Sequence, residues 1–198
     1  MTVNLSLPKI EPLRPVRSRV VPTGREWLYE LKLDGFRGML SIEGNRGMFR
    51  SKSSNRMVRF EAMADALARM IPAQDAILDG EIIVMREGGP DFNALFFRSG
   101  EPAYAAFDLL WLNGRDLRSQ PLWRRKKMLE KLIASTPIGF VEHVDDPALF
   151  TVVQQRDLEG IIAKRRSDPY APETRWVKVK VAGYSQMEGR RELFDRRR

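Results

Sequence analysis

The sequence predicts an α+β fold, mainly antiparallel sheet with flanking helices, and three observations lead there. Short apolar runs bounded by Gly, Asn and Asp recur at 27–33, 37–42, 47–52, 76–85, 103–112, 160–165 and 175–181, which is the pattern of strands. Helical periodicity is confined to 59–70, a stretch opened by Pro121 and a stretch opened by Asp146-Pro147. Strands precede or interleave with these helices without the regular alternation that a doubly wound parallel sheet requires.

Residues 1–24 read as an extended leader. Pro8, Pro12, Pro15 and Pro22 block regular helix, and Arg14, Arg17 and Arg19 keep the segment wet. From Trp27 the pattern becomes dense. WLYELKL and RGMLSI read as strands flanking an Asp34-Gly35 turn, and Asn45, Arg46 and Gly47 suggest a hairpin turn into 47–52. The helix at 59–70 puts Phe60, Met63, Leu67 and Met70 on one face. AILDGEIIVM (76–85) reads as two strand pieces broken at Gly80, followed by a loop at 86–100 that carries Gly88-Gly89-Pro90. AYAAFDLLWL (103–112) is a strand closed by the turn Asn113-Gly114.

Pro121 fits the first position of a helix running to about Ala134, with Leu122, Leu129, Leu132 and Ile133 facing inward. Asp146-Pro147 caps a further helix to about Arg156. GIIAKR and RWVKVKV close the series as strands, and the charged EGRRELFDRRR reads as a frayed helical tail.

Composition narrows the chemistry. The chain has 198 residues, a formal net charge of +8, no Cys and one His. It is therefore one domain by size. A disulfide scaffold, a thiolate zinc site, a cysteine nucleophile and a multi-histidine metal centre are excluded. The basic balance suits a polyanionic partner, nucleic acid first among them. No apolar run reaches the roughly 20 residues of a membrane span and no cleavable leader precedes the pattern, so a cytoplasmic location is expected.

Five short motifs could carry chemistry. Lys32, on an apolar strand beside Asp34-Gly35 and Arg37, suits a nucleophilic amine aimed at a ligand, or a plain surface lysine in a hairpin. Glu81 and Glu159 each adjoin Gly at a strand boundary; they suit Mg²⁺, with Glu81 alternatively accepting from a ribose hydroxyl, or are solvated turn carboxylates. Phe107 is a base-stacking or core ring, and Asp108 beside it is a buried charge that demands a partner or a function. Lys178 and Lys180 share one face of a strand and make a polyphosphate clamp or a solvent face. Arg124, Arg125, Lys126 and Lys127 form a basic helical run, wet surface or DNA-backbone contact, and Lys164 continues the basic theme.

Taken in chain order, Lys32-x-Asp34-Gly35-x-Arg37, Asp79-Gly80-Glu81, Phe107-Asp108, Glu159-Gly160 and Lys178-x-Lys180 resemble the covalent nucleotidyltransferase superfamily. WLYELKLDGFRG, ILDGEIIV, AAFDLLWLNGRDL, LEGIIAKRRSDPY and RWVKVK look specifically like bacterial ATP-dependent DNA ligases of the end-joining type. The resemblance covers about residues 25–182 and implies an ATP-grasp-like adenylation domain. It implies that Lys32 attacks the α-phosphate of ATP and carries AMP as a lysyl adduct. Glu30 and Leu31 would meet the adenine edge, Arg37 the ribose or phosphates, Glu81 the ribose and Phe107 the adenine face. Glu159, with Glu81, would bind Mg²⁺ or Mn²⁺. Lys178 and Lys180 would steer phosphates, and Asp34, Gly35 and Asp108 would support the site.

Nicked or broken duplex DNA would be the partner of such a domain, with a separate DNA-clamping or end-joining protein beside a monomeric chain. Two departures stand out. Ser51-Lys52 replaces the usual Ser-Arg, so Lys52 would contact nucleotide without a bidentate fork. The 18 residues after Lys180 are too few for a five-stranded OB-fold, so a lone adenylation domain with a basic tail at 183–198 is expected. RNA ligase chemistry, another covalent nucleotidyl transfer and a catalytically weak DNA-binding remnant are the alternatives.

Overall fold

Two larger β-sheets meet face to face, each backed by helix on its far side. The structure, a computed structural model, describes residues 7–187. The first sheet has the order β1-β13-β12-β2-β11. Its strands are β1 (Val16–Ser18), β2 (Trp27–Leu31), β11 (His143–Val144), β12 (Gly160–Arg165) and β13 (Val177–Lys180). The second has the order β10-β8-β5-β3-β4, with β9 also on β8. It is made of β3 (Phe36–Glu43), β4 (Arg46–Arg50), β5 (Asp75–Ile83), β8 (Ala103–Leu112), β9 (Arg115–Asp116) and β10 (Gly139–Phe140). A small ribbon pairs β6 (Met85–Arg86) with β7 (Gly89–Pro90). Apart from the parallel pairs β1/β13 and β8/β10, every ladder is antiparallel, so the α+β expectation holds.

Three apolar layers separate these elements. Leu40, Ile42, Leu78 and Leu109 of the second sheet pack on α1 (Glu61–Met70), α2 (Phe92–Phe97) and α3 (Leu122–Ile133). Met39, Ile77, Ala105 and Phe107, on its other face, meet Trp176 and Ile162 of the first sheet. Tyr29, Ile161 and Val179 cover α4 (Leu149–Gln155) through Val153. Central strands buried on both faces explain why β5 and β8 carry consecutive apolar residues, as at 76–78 and 103–107, rather than a strict alternation.

Several expectations are corrected. The strands on either side of Asp34-Gly35 do not form a hairpin, because β2 and β3 belong to different sheets. The chain crosses between them at Gly35, where a Cβ would lie 2.2 Å from the Ile82 carbonyl oxygen. Residues 76–85 are not two pieces. β5 runs through Gly80, whose missing side chain lets Ala105 O and the Tyr104 ring approach within 2.5 and 2.6 Å of a would-be Cβ, and the break is only a bulge against β8.

The β3–β4 turn is Gly44-Asn45, one residue earlier than expected, since Glu43 already pairs with Arg46. The 86–100 loop holds β6, β7 and α2, capped by Asp91. Pro121 is the cap before α3 and not its first residue. Met70 is exposed, while Ala64 and Ala68 join Leu67 inside. In the basic run of α3, Arg125 and Lys126 are buried and not wet.

The described part of the Pro-rich N-terminal segment, residues 7–24, contains no helix. It also adds β1 to the first sheet and packs Ile10, Leu7 and Leu13 against the inter-sheet core. The Asn113-Gly114 turn has both residues at positive φ, the hairpin geometry those residue types favour. The charged EGRRELFDRRR segment lies outside the described residues. Among those described, no helix is long and apolar enough to cross a membrane.

Candidate active site

The face of the first sheet that looks toward the second is built by alternation. Glu30 and Lys32 on β2 and its end, Ile162 and Lys164 on β12, and Trp176, Lys178 and Lys180 along β13 all project to that face. Together with Arg37 and Glu81 from β3 and β5 and Phe107 from β8 they line one cleft of about 810 Å³. Leu31, Asp34, Gly35, Lys52 and Glu159 line it too, whereas Asp108 and the basic run 124–127 lie outside it.

Lys32 follows β2, and its backbone N–H donates to Gly160 O at 2.9 Å, which extends the ladder and holds the side chain over β12. Its Nζ lies 2.5 Å from Glu159 Oε2, and Lys180 Nζ lies 2.7 Å from Glu159 Oε1. Glu159 is 3% exposed and burial opposes its charge, yet Lys32 and Lys180 hold its carboxyl below the ordinary range. Gly160 makes this possible. Its φ is +151°, and a Cβ there would sit 2.2 Å from Val179 O. Among the described residues no carboxylate pairs directly with Lys178; burial together with Lys32, Lys180 and Lys52 pushes its ammonium down, with Glu159 opposing.

Burial raises Glu81 to about 7; Glu159 and Asp79 push the same way, and Lys32 and Arg37 oppose. Arg37 Nε and Nη2 each donate to Asp79 at 2.5 Å, while its guanidinium lies 4.5 Å over the Phe107 ring. Asp79 also accepts from Tyr170 Oη at 2.7 Å. Asp34 is buried and accepts from Tyr184 Oη at 2.9 Å. Lys52 is exposed at the mouth of the cleft.

Beneath the cleft sits a buried charge cluster that reading the sequence missed. Glu30 Oε1 and Oε2 lie 2.6 Å from Lys126 and from Lys164, and these two cations keep Glu30 ionised although burial opposes it. Lys164 is 1% exposed, with its ammonium 4.2 Å from the Phe107 ring centroid and 4.1 Å from that of Trp176. Burial brings its pKa down to about 8. The signal was available, since Lys164 follows the apolar stretch Gly160–Ala163 of β12, a place where a lysine needs a buried partner. Asp108 is fully buried outside the cleft, where Arg125 Nε and Nη2 bind its two oxygens at 2.8 and 2.9 Å. It pins α3 to β8, which meets the demand for a partner made by its position in the strand.

Cations and aromatic faces in a half-open cleft suit a nucleoside polyphosphate. Among the described residues no three His, Cys, Asp or Glu side chains gather into a metal cage. Two carboxylates, Glu81 and Glu159, face one cleft, and that donor set fits a Mg²⁺ held by one or two carboxylates and substrate phosphates.

Comparison with known proteins places the chain in a family. Residues 11–180 match the family model described as the ATP dependent DNA ligase domain. The multifunctional non-homologous end joining protein LigD of Mycolicibacterium smegmatis is 29% identical over 183 residues, covering 84% of this chain and 24% of that protein. The SPbeta prophage-derived DNA ligase-like protein LigB of Bacillus subtilis is 32% identical, over 81% of this chain and 63% of that one. A solved mycobacterial DNA ligase D, complexed with ATP and MES, superposes with a TM-score of 0.70 at 30% identity and covers 87% of this chain and 61% of its own. The chain thus spans about a quarter of the length of that LigD relative.

Proposed function

The chain belongs to the family of ATP-dependent DNA ligase domains, and from that premise we propose that it takes AMP from ATP onto Lys32 and passes it to the 5′-phosphate of nicked or broken DNA. The observation that carries this reading is the Glu159 carboxylate gripped by Lys32 and Lys180, at 2.5 and 2.7 Å, in a cleft floored by Phe107 and Trp176. A lysine attacks only as the neutral amine. Glu159 is the carboxylate within reach of its proton.

The Nζ lone pair then forms a bond to the α-phosphorus while the bond to the bridging oxygen breaks and pyrophosphate departs. Positioning and charge neutralisation supply most of the rate in such transfers. Lys178 and Lys180 face the phosphates, Phe107 stacks on the base, and Glu81 in its ionised form accepts from ribose hydroxyls. Glu30 and Leu31 frame the adenine edge, and Arg37 and Lys52 contact the sugar–phosphate. Glu81 and Glu159 would hold Mg²⁺ or Mn²⁺, which when bound neutralises phosphate charge. In the second step the DNA 5′-phosphate displaces Lys32 from AMP, and a 3′-hydroxyl then displaces AMP to close the strand.

Incubation with Mg²⁺ and ATP labelled at the α-phosphate, followed by a denaturing gel and intact mass, tests the reading. A single AMP adduct on Lys32 is expected, abolished in Lys32→Ala without loss of fold. Labelling of Lys32→Ala at the wild-type rate overturns it. Chasing the adduct with nicked DNA and with nicked RNA identifies the acceptor.

A further inference from the structure

The N-terminal segment sets another cation beside the lysine strand. β1 pairs in parallel with β13, with Arg17 opposite Lys178. Residues opposite one another across a ladder project to the same face, and that face of β13 lines the cleft. Arg17 itself lines a recess of about 490 Å³ with Glu159, Lys180 and residues 181–185. The recess shares Glu159 and Lys180 with the cleft and so continues it past the partner of Lys32.

Like charges directly opposite in a sheet are destabilising. Among the described residues no ion pair or hydrogen bond engages the Arg17 side chain. Glu159, the acid that lines the same recess, already gives one oxygen to Lys32 and the other to Lys180. Lys178 meanwhile is depressed by burial and by three neighbouring lysines. A ladder that keeps Arg17 against Lys178 in this setting is built for an external anion.

We propose that Arg17 binds the β- and γ-phosphates of ATP and stabilises pyrophosphate as it leaves. The proposal rests on Lys32 as the nucleophile. Displacement at the α-phosphate puts the leaving oxygen roughly in line with and opposite to the attacking atom. With the base over Phe107 and the α-phosphate at Lys32, the triphosphate tail runs along Lys178 and Lys180 into the recess. As the lysine nitrogen–phosphorus bond forms, the oxygen bridging to the β-phosphate takes the electron pair of the breaking bond. The charge that develops there meets the Arg17 guanidinium.

The test uses the full chain with Arg17→Ala and Arg17→Lys. Equilibrium binding of ATP and of AMP is measured alongside the ATP dependence of lysyl-AMP formation and binding to a nicked duplex. Arg17 is an exposed edge residue, and circular dichroism checks that both variants fold. Arg17→Ala is expected to weaken ATP binding and to lower kcat/KM for adenylation by about tenfold, the size of one charge-assisted contact. AMP binding should not change, and Arg17→Lys should recover part of the loss. Unchanged ATP binding overturns the proposal; if nicked-duplex binding weakens instead, the cation serves a DNA backbone phosphate. Failure of the wild-type chain to form lysyl-AMP speaks against Lys32 as nucleophile, while the ATP-against-AMP comparison still decides the contact of Arg17.

Discussion

Glu81 shows how one residue couples the cleft to pH. Burial and its acidic neighbours lift its pKa from 4.5 to about 7 despite Lys32 and Arg37. A carboxyl whose folded value lies above its unfolded one binds its proton more tightly in the native state. Its contribution to stability is full below about pH 4.5 and is lost as pH rises through about 7. Glu81→Gln should therefore gain stability relative to the wild type on going from pH 5 to pH 8, read by urea unfolding at both. A difference that does not change with pH sinks this account. The ionised carboxylate accepts from ribose hydroxyls more strongly than a neutral amide does, so Glu81→Gln should also slow adenylation above pH 7.

At the scale of elements, α3 joins the two sheets through charge. Arg125 binds Asp108 of the second sheet and Lys126 reaches Glu30 of the first. Both were legible as positions, because 122, 125, 126, 129, 132 and 133 trace a single inward face at helical spacing. Their charge alone suggests a wet surface or a DNA-backbone contact. Burial was decided by partners 17 and 96 residues away, which no local window contains. Arg125→Ala leaves Asp108 charged and unpaired at zero exposure, and we expect about 3–5 kcal/mol of destabilisation in urea denaturation. Replacing both partners together, Arg125→Met with Asp108→Leu, should recover most of that loss. If the double variant is as unstable as the single, the pair is not what holds α3.

For the whole molecule, the net charge of +8 is unevenly used. Arg14, Lys52, Lys178 and Lys180 line one cleft, while Arg125 and Lys126 are spent inside. Binding to nicked duplex DNA should then be a backbone interaction, indifferent to sequence and steeply salt-dependent. The logarithm of the affinity is expected to fall linearly with that of salt, by roughly 0.9 per phosphate neutralised. Titrations at two or three salt concentrations check this. A flat salt dependence, or a preference for one base sequence, contradicts it.

The sequence by itself determined the strand-rich α+β class, the order of the five motifs and the residue types gathered in the cleft. These are local properties, carried by spacing and by glycines that permit close approach, as at Gly35 and Gly160. Only the tertiary structure decided that β2 and β3 part into different sheets, that β5 runs unbroken through Gly80, and that Lys164 lies under the cleft beside Glu30. It alone set Arg17 against Lys178, because β1 and β13 are separated by most of the chain and meet through a ladder that neither segment encodes alone. The physical reason is shared by all four. Periodicity fixes which way a side chain points along its own element, whereas burial and charge pairing depend on what another element brings to the same face.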